Sequence, residues 1–223
     1  MGIINLTPDS FFDGGQYFSQ QPAERQVDKL LADGADIIDI GAESSRPGAP
    51  IVDPAEQLRR LASSIEYCVA RGAVVSIDTT SPEVAEQAVR RGAQLINDVS
   101  CLRDPGLASV AARAGVMLVL THARTPMAEM AGFSQWPDSD YPDIVADVAL
   151  DWGRARERAT RMGLSSANII FDPGLGFSKN ARQSFELLQR LPEFSMLGAL
   201  MLVGPGRKSF ISAVDPSPPG ERL

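Results

Sequence analysis

Several short stretches carry residues able to do chemistry, and each follows an apolar run. Asp39 lies inside IIDIG, residues 37–41, and Glu43, Ser44, Ser45 and Arg46 follow before Pro47, Gly48 and Pro50 stiffen the loop. Asp78, Asn97 and Asp172 stand at the ends of three more such runs, and Asn5 ends the first one. Carboxylates and an amide converging from four strands in a dry cavity can read a flat heterocycle through its hydrogen-bond donors and acceptors. One such residue alone is more often a cap or turn residue. Four at equivalent positions favour a shared site. Arg46 can grip a phosphate bidentately, with Ser44 and Ser45 donating to the same group; the plain alternative is a solvated loop.

Three further stretches add to this set. In FDPGLGFSKN, residues 171–180, Gly174 and Gly176 let backbone approach a ligand closely, and Phe177 offers an apolar wall. The same stretch also reads as an ordinary loop into a helix, with Asn180 as N-cap. In GPGRKSF, residues 204–210, Arg207 and Lys208 bring two cations. Lys208 suits a heterocycle carbonyl or ring nitrogen. A cation at a helix start is otherwise disfavoured by the helix dipole. TPDSFFDGG, residues 7–15, places Phe11 and Phe12 between turn residues, as a mobile lid would, or as satellite packing. His122, the only histidine, has no partner readable from sequence and is assigned a structural role. Two cysteines and one histidine are too few for a zinc site.

The elements that must position these residues are legible from periodicity. Apolar runs at 2–5, 36–40, 73–77, 94–97, 116–120, 168–171 and 197–203 read as strands buried on both faces. Between them, 22–33, 54–71, 82–91, 105–114, 141–162 and 181–191 have helical spacing. Val27, Leu30 and Leu31 form one apolar face; Leu58, Leu61, Ile65 and Val69 form another. Four of the six helices open on proline, which suits a first turn, and glycine follows five of them. Strict alternation predicts a parallel sheet. No GxGxxG or P-loop follows the first run, which disfavours a nucleotide-binding open sheet. Polar residues after almost every strand match the mouth of a (β/α)8 TIM-type barrel, where the βα loops meet. Seven strands are readable and an eighth is not. The segment from Lys208 starts a helix that prolines 216, 218 and 219 soon stop.

Composition bounds the function. The chain has 223 residues and a net charge of -7, which fits one α/β domain over 1–223 and argues against a general nucleic-acid binder. Cys68 and Cys101 suggest no disulfide framework and fit a cytoplasmic protein with both as core residues. No apolar run is long enough to cross a membrane, and no leader pattern opens the chain.

Together these stretches resemble the dihydropteroate synthases, the folate-pathway enzymes targeted by sulfonamides. The resemblance rests on MGIINLTPDSFFDGG, DIGAESSRPGA, SIDTTSPEVAEQA, INDVS, FDPGLGFSKN and GRKSFI, in the family's order and over nearly the whole chain. It implies a (β/α)8 barrel. The reaction it implies is condensation of 6-hydroxymethyl-7,8-dihydropterin pyrophosphate with p-aminobenzoate, with Mg²⁺, giving dihydropteroate and pyrophosphate. By motif match, Asp78, Asn97, Asp172 and Lys208 hold the pterin; Asp39 and Arg207, at strand ends of the same ring, are expected to bind substrate beside them. Asn5 meets the metal–pyrophosphate, Ser45 and Arg46 meet phosphates or p-aminobenzoate, and Phe177 flanks the p-aminobenzoate ring. Asp78, Asp172, Lys208 and Arg46 are the expected catalytic groups. The loops at 7–15 and 43–50 are expected to close over the site, and a homodimer is implied.

The sequence also departs from the family pattern. Gly206 stands where a serine is usual, Ser45 where threonine is common, and no RVHD-like eighth strand follows. The family's chains usually begin earlier as well. A chain short at both ends, with impaired activity, is therefore one expectation. A pterin-binding relative without turnover, a pterin-barrel methyltransferase acting on methyltetrahydrofolate, and a fragment without a stable fold are the alternatives.

Overall fold

The computed structural model describes residues 1–7, 20–43, 51–126, 129–130, 134–218 and 220–222. Strands and helices alternate along them: β1 (Gly2–Asn5), α1 (Gln20–Ala32), β2 (Ile37–Gly41), α2 (Pro54–Ala70), β3 (Val74–Asp78), α3 (Pro82–Arg90), β4 (Leu95–Asp98), α4 (Gly106–Ala114), β5 (Met117–Thr121), α5 (Ile144–Arg161), β6 (Ile169–Asp172), α6 (Ala181–Gln189) and β7 (Leu200–Met201). The seven strands pair in sequence order, every pair parallel. Parallel neighbours need a crossover, and the helices supply it. This is the winding expected of a TIM-type barrel, with β1 and β7 at the two ends of the strand order.

Local signals explain the helices. Pro54 and Pro82 open α2 and α3 after side-chain caps from Asp53 and Ser81. Asn180 caps α6 in a reciprocal box with Gln183, as the plain reading of that stretch expects. Gly115 ends α4 in the left-handed conformation. On α2 the buried face is Leu61, Ile65 and Cys68, whereas Val69, expected there, is 42% exposed. Seven residues after Leu61 is close to two full turns; eight is not.

The central strands are buried as expected, but the end strands are not. In β1, Ile3 is 59% exposed, and Leu200 in β7 is 63% exposed. Each end strand has one strand neighbour among the described residues, so one side of it is left uncovered, although α1 packs on β1 where Leu30 stands against Gly2. The seventh strand, expected over 197–203, forms only at Leu200–Met201, preceded by a 3-10 segment, Leu191–Leu197. One further ladder bond, Leu202 N to Phe171 O at 2.8 Å, extends it. The segment after Lys208 is a 3-10 turn, Ser209–Ala213, rather than an α-helix.

The core lies between sheet and helices. Trp152 of α5 is fully buried, edge-on to Phe171 at 5.1 Å between centroids, and Phe171 meets Phe194 at 4.8 Å. Both cysteines are buried free thiols. Among the described residues, no helix is long and apolar enough to cross a membrane.

Candidate active site

Strand register builds one half of the site. Asn5, Gly41, Asp78 and Asn97 share one rung across β1 to β4. Asp39 lies two residues before Gly41, hence on the same face. A Cβ on Gly41 would stand 3.4 Å from Asn5 Oδ1 and 3.5 Å from Asp78 Oδ2. Glycine therefore leaves those two oxygens facing a common space. Asn97 Nδ2 donates to Asp39 Oδ2 at 3.1 Å. The other oxygens of that pair, Asp39 Oδ1 and Asn97 Oδ1, are buried with no hydrogen-bond partner among the described residues.

This half is strongly acidic. Burial pushes the Asp39 carboxyl above its usual range, with the Ser76 hydroxyl and then the Asn97 amide opposing. Asp78 is raised well above the usual carboxylate value, first by burial and then by Asp39, Asp98 and Glu43. Asp98, a polar strand-end residue in the sequence, plays a different part. Its carboxylate accepts from Ser100 N, Ser100 Oγ and Leu102 N at 2.9, 2.5 and 2.5 Å. It holds a turn in which Cys101 and Leu102 take positive φ.

The other half lies on β6 and the two loops beyond β6 and β7. Asp172 Oδ1 accepts from Gly174 N at 2.8 Å, and Oδ2 from Thr121 Oγ1 at 3.3 Å. Burial raises Asp172, and Lys208 opposes that shift. Lys208 Nζ donates to Leu175 O at 2.9 Å and lies 4.4 Å from the Phe177 ring centroid. Burial lowers the proton affinity of Lys208, and Asp172 restores part of it. Phe177 is buried in a small cluster with Ala123 and Met130. Arg207 is exposed, with φ of 61°. Gly206 is also exposed, and a Cβ there would meet nothing within 4 Å.

Asn5, Asp39, Asp78 and Asn97 thus come together on one half; Asp172, Phe177 and Lys208 come together on the other. Ser45, Arg46 and the expected closing loops lie outside the described residues, except Thr7 and Glu43 at their first positions. Glu43 accepts from Val52 N at 3.0 Å.

Asp151 and Lys179, which sequence reasoning passed over, flank His122, the histidine given a structural role, and complete the second half. His122 is fully buried, with Nε2 3.3 Å from Asp151 Oδ2 and Nδ1 2.8 Å from Lys179 Nζ. Asp151 sits on α5, 29 positions away, so no local spacing announces it. Burial first, and then the Lys179 charge, lowers His122 to about 3. Lys179 is itself fully buried, and burial lowers it to about 7. Its only sequence signal is a lysine in a glycine-rich loop that otherwise carries site residues.

Comparison with known proteins gives a consistent answer. Residues 1–223 match the family model described as pterin binding enzyme. The chain is 40% identical over 224 residues to the dihydropteroate synthase of Bacillus subtilis, covering all of this chain and 74% of that protein. The structure of Yersinia pestis dihydropteroate synthase with a sulfonamide drug superposes with a TM-score of 0.92 at 34% identity, covering 100% of this chain and 80% of that one. That of Xanthomonas albilineans dihydropteroate synthase with 4-aminobenzoic acid gives 0.86 at 38% identity, covering 100% and 78%.

Proposed function

We propose roles for the site residues from one premise: the chain belongs to the pterin-binding enzyme family, and within it to the dihydropteroate synthases. Its reaction joins 6-hydroxymethyl-7,8-dihydropterin pyrophosphate to p-aminobenzoate, giving dihydropteroate and pyrophosphate in folate biosynthesis. The C–O bond to pyrophosphate breaks, the amine nitrogen bonds to the pterin methylene carbon, and the amine loses one proton.

The observation that carries the residue roles is the pair of buried, unpartnered oxygens, Asp39 Oδ1 and Asn97 Oδ1, beside Asp78. Buried polar atoms are normally satisfied. A ring with several N–H donors would satisfy these. We assign Asp39, Asp78, Asn97 and Asp172 to the pterin ring and Lys208 to a ring acceptor. Ionisation of the C–O bond leaves positive charge on the pterin. Buried carboxylates beside that ring stabilise the charge as it forms, without having to reorganise. A lowered proton affinity suits Lys208 to a hydrogen-bond role beside Asp172. Phe177 flanks the p-aminobenzoate ring, and Ser45 and Arg46 take phosphate or carboxylate oxygens. Arg207, exposed beside Lys208 in the chain, is assigned to substrate binding at the rim.

Mg²⁺ fits this donor set. Asn5 Oδ1 faces the same space as Asp78 Oδ2, and Mg²⁺ prefers oxygen ligands while drawing several from substrate phosphates. Held by Asn5 and the pyrophosphate, it would neutralise charge on the leaving group. The proposal extends to one barrel domain over 1–223, supported by chain length, a cytoplasmic site of action, supported by the cysteine content, and a homodimer, implied by the family resemblance.

The test is product formation. Purified chain with both substrates and Mg²⁺ should yield dihydropteroate by chromatography, and Asp172→Ala should lose it. A cooperatively folded wild type that forms no product overturns the assignment of turnover to this chain.

A further inference from the structure

We propose that Lys179 is a positioning residue that staples the loop Gly174–Phe177 to the end of β5, and so sets where Asp172, Lys208 and Phe177 meet the substrates. The inference rests on the reaction and residue roles assigned above.

Lys179 Nζ lies within hydrogen-bond distance of four acceptors: His122 Nδ1 at 2.8 Å, Phe177 O at 2.9 Å, Gly174 O at 3.0 Å and His122 O at 3.3 Å. An ammonium group has three N–H donors. Two of its acceptors are the first and last carbonyls of the loop; the other two belong to the residue just after β5. The contact fixes the His122 tautomer. Nδ1 accepts, so the ring proton sits on Nε2 and faces Asp151, which also accepts from Arg124 Nε at 2.9 Å.

The loop is pressed hard against β5. Gly174 has φ of 67°, and a Cβ there would stand 2.1 Å from His122 O. Only glycine allows that approach, and Lys179 bridges the two carbonyls that it brings together. Ser178, the preceding residue, adds a second seam. Its Oγ accepts from Arg124 N and Thr125 N at 3.0 and 3.2 Å, and its carbonyl accepts from Tyr141 OH at 2.8 Å.

What the loop presents is the active half-site. Gly174 N fixes Asp172 Oδ1, Leu175 O fixes Lys208 Nζ, and Phe177 supplies the wall beneath that amine. Release of the carbonyl ends would let all three drift together. Lys179 meets none of the side-chain groups assigned to the substrates; it acts through the loop carbonyls it holds, including that of Phe177, and through the charge it sets against Asp172.

Steady-state kinetics separate positioning from mere stability. A destabilised but correctly shaped enzyme loses active molecules and keeps its Michaelis constants. Lys179→Met should raise the Michaelis constant for p-aminobenzoate at least about fivefold, together with a drop in kcat. Lys179→Gln keeps two N–H donors and should recover part of the loss. Both Michaelis constants within twofold of wild type in an active Lys179→Met variant would overturn the proposal. Hydrogen exchange on the wild type provides an arm that needs no variant. The Gly174 and Phe177 amides should exchange as slowly as those of β5 (Met117–Thr121); rapid exchange there overturns the staple. If wild type forms no dihydropteroate, the functional assignment fails, and the exchange arm decides the staple alone.

Discussion

Asp78 illustrates how single residues trade stability for function here. It is surrounded by Asp39, Asp98 and Glu43, and burial with that repulsion holds its proton affinity well above the usual. Asp78→Asn removes the repulsion and keeps the shape. Activity should fall by at least about a hundredfold, while the melting temperature holds or rises, as calorimetry would show. Gly206 raises a second residue-scale question. A Cβ there meets nothing within 4 Å, so Gly206→Ser fits. The variant should lower the Michaelis constant for p-aminobenzoate; an unchanged value would mean that the missing hydroxyl does not matter. His122 makes a third case, faced by Asp151, Lys179 and Arg124. Unfolded, it takes a proton below about pH 6.5; folded, only near 3. Between those values the unfolded chain holds the extra proton, so this residue's part of the stability falls as pH falls. The slope is at most about 1.4 kcal/mol per pH unit. Asp39, Asp78, Asp98 and Asp172, with raised proton affinity, act in the opposite sense. Denaturant titrations of wild type and His122→Gln between pH 4 and about 6.5 should therefore differ in slope, with the variant showing the weaker acid destabilisation.

At the scale of elements, the site depends on where strands stop and helices start. β6 ends at Asp172 and α6 begins at Ala181, so the whole Asp172–Lys208 half hangs on the connection between them. The capping box at Asn180 fixes its far end. Asn180 Nδ2 also donates to Trp136 O at 3.0 Å and to Asp138 Oδ1 at 2.8 Å. Asn180→Ala should cost about 1 kcal/mol or somewhat more, since a helix cap and these added bonds are lost together. Urea midpoints would measure it. The periodicity of the sequence placed α6 and its cap correctly, because both signals are local. It missed the limits of β7, because strand length there depends on ladder bonds to a neighbour and, among the described residues, β6 alone supplies them.

At the scale of the molecule, one hydrophobic cluster runs from Ile4 on β1 through Trp152 on α5 to Phe194 and Phe210. A core that reaches from β1 to the segment after β7 should melt as one unit. Near-ultraviolet circular dichroism and tryptophan fluorescence should give coincident transitions, with an unfolding enthalpy of roughly 150 kcal/mol near 60 °C. Separate transitions would point to halves that fold independently. The acidic half on β1 to β4 and the Asp172–Lys208 half are built by different strands, so their relative placement rests on that common core.

The sequence by itself determined the alternation of elements, the winding of the sheet and most of the residues at its polar end. These follow from hydrophobic period, caps and motif spacing, which act over a few residues. It marked Asp39, Asp78, Asn97, Asp172, Phe177 and Lys208 because each closes an apolar run or sits in a motif loop. Only the tertiary structure decided which of them share a rung, that Asp98 holds a turn, and that Gly41 leaves Asn5 and Asp78 facing each other. It also brought Asp151, His122 and Lys179 into one buried chain of hydrogen bonds. Asp151 and Lys179 lie 29 and 57 positions from His122, the residue they both meet. No local pattern encodes such a contact, because it exists only after β5, β6 and α5 have packed.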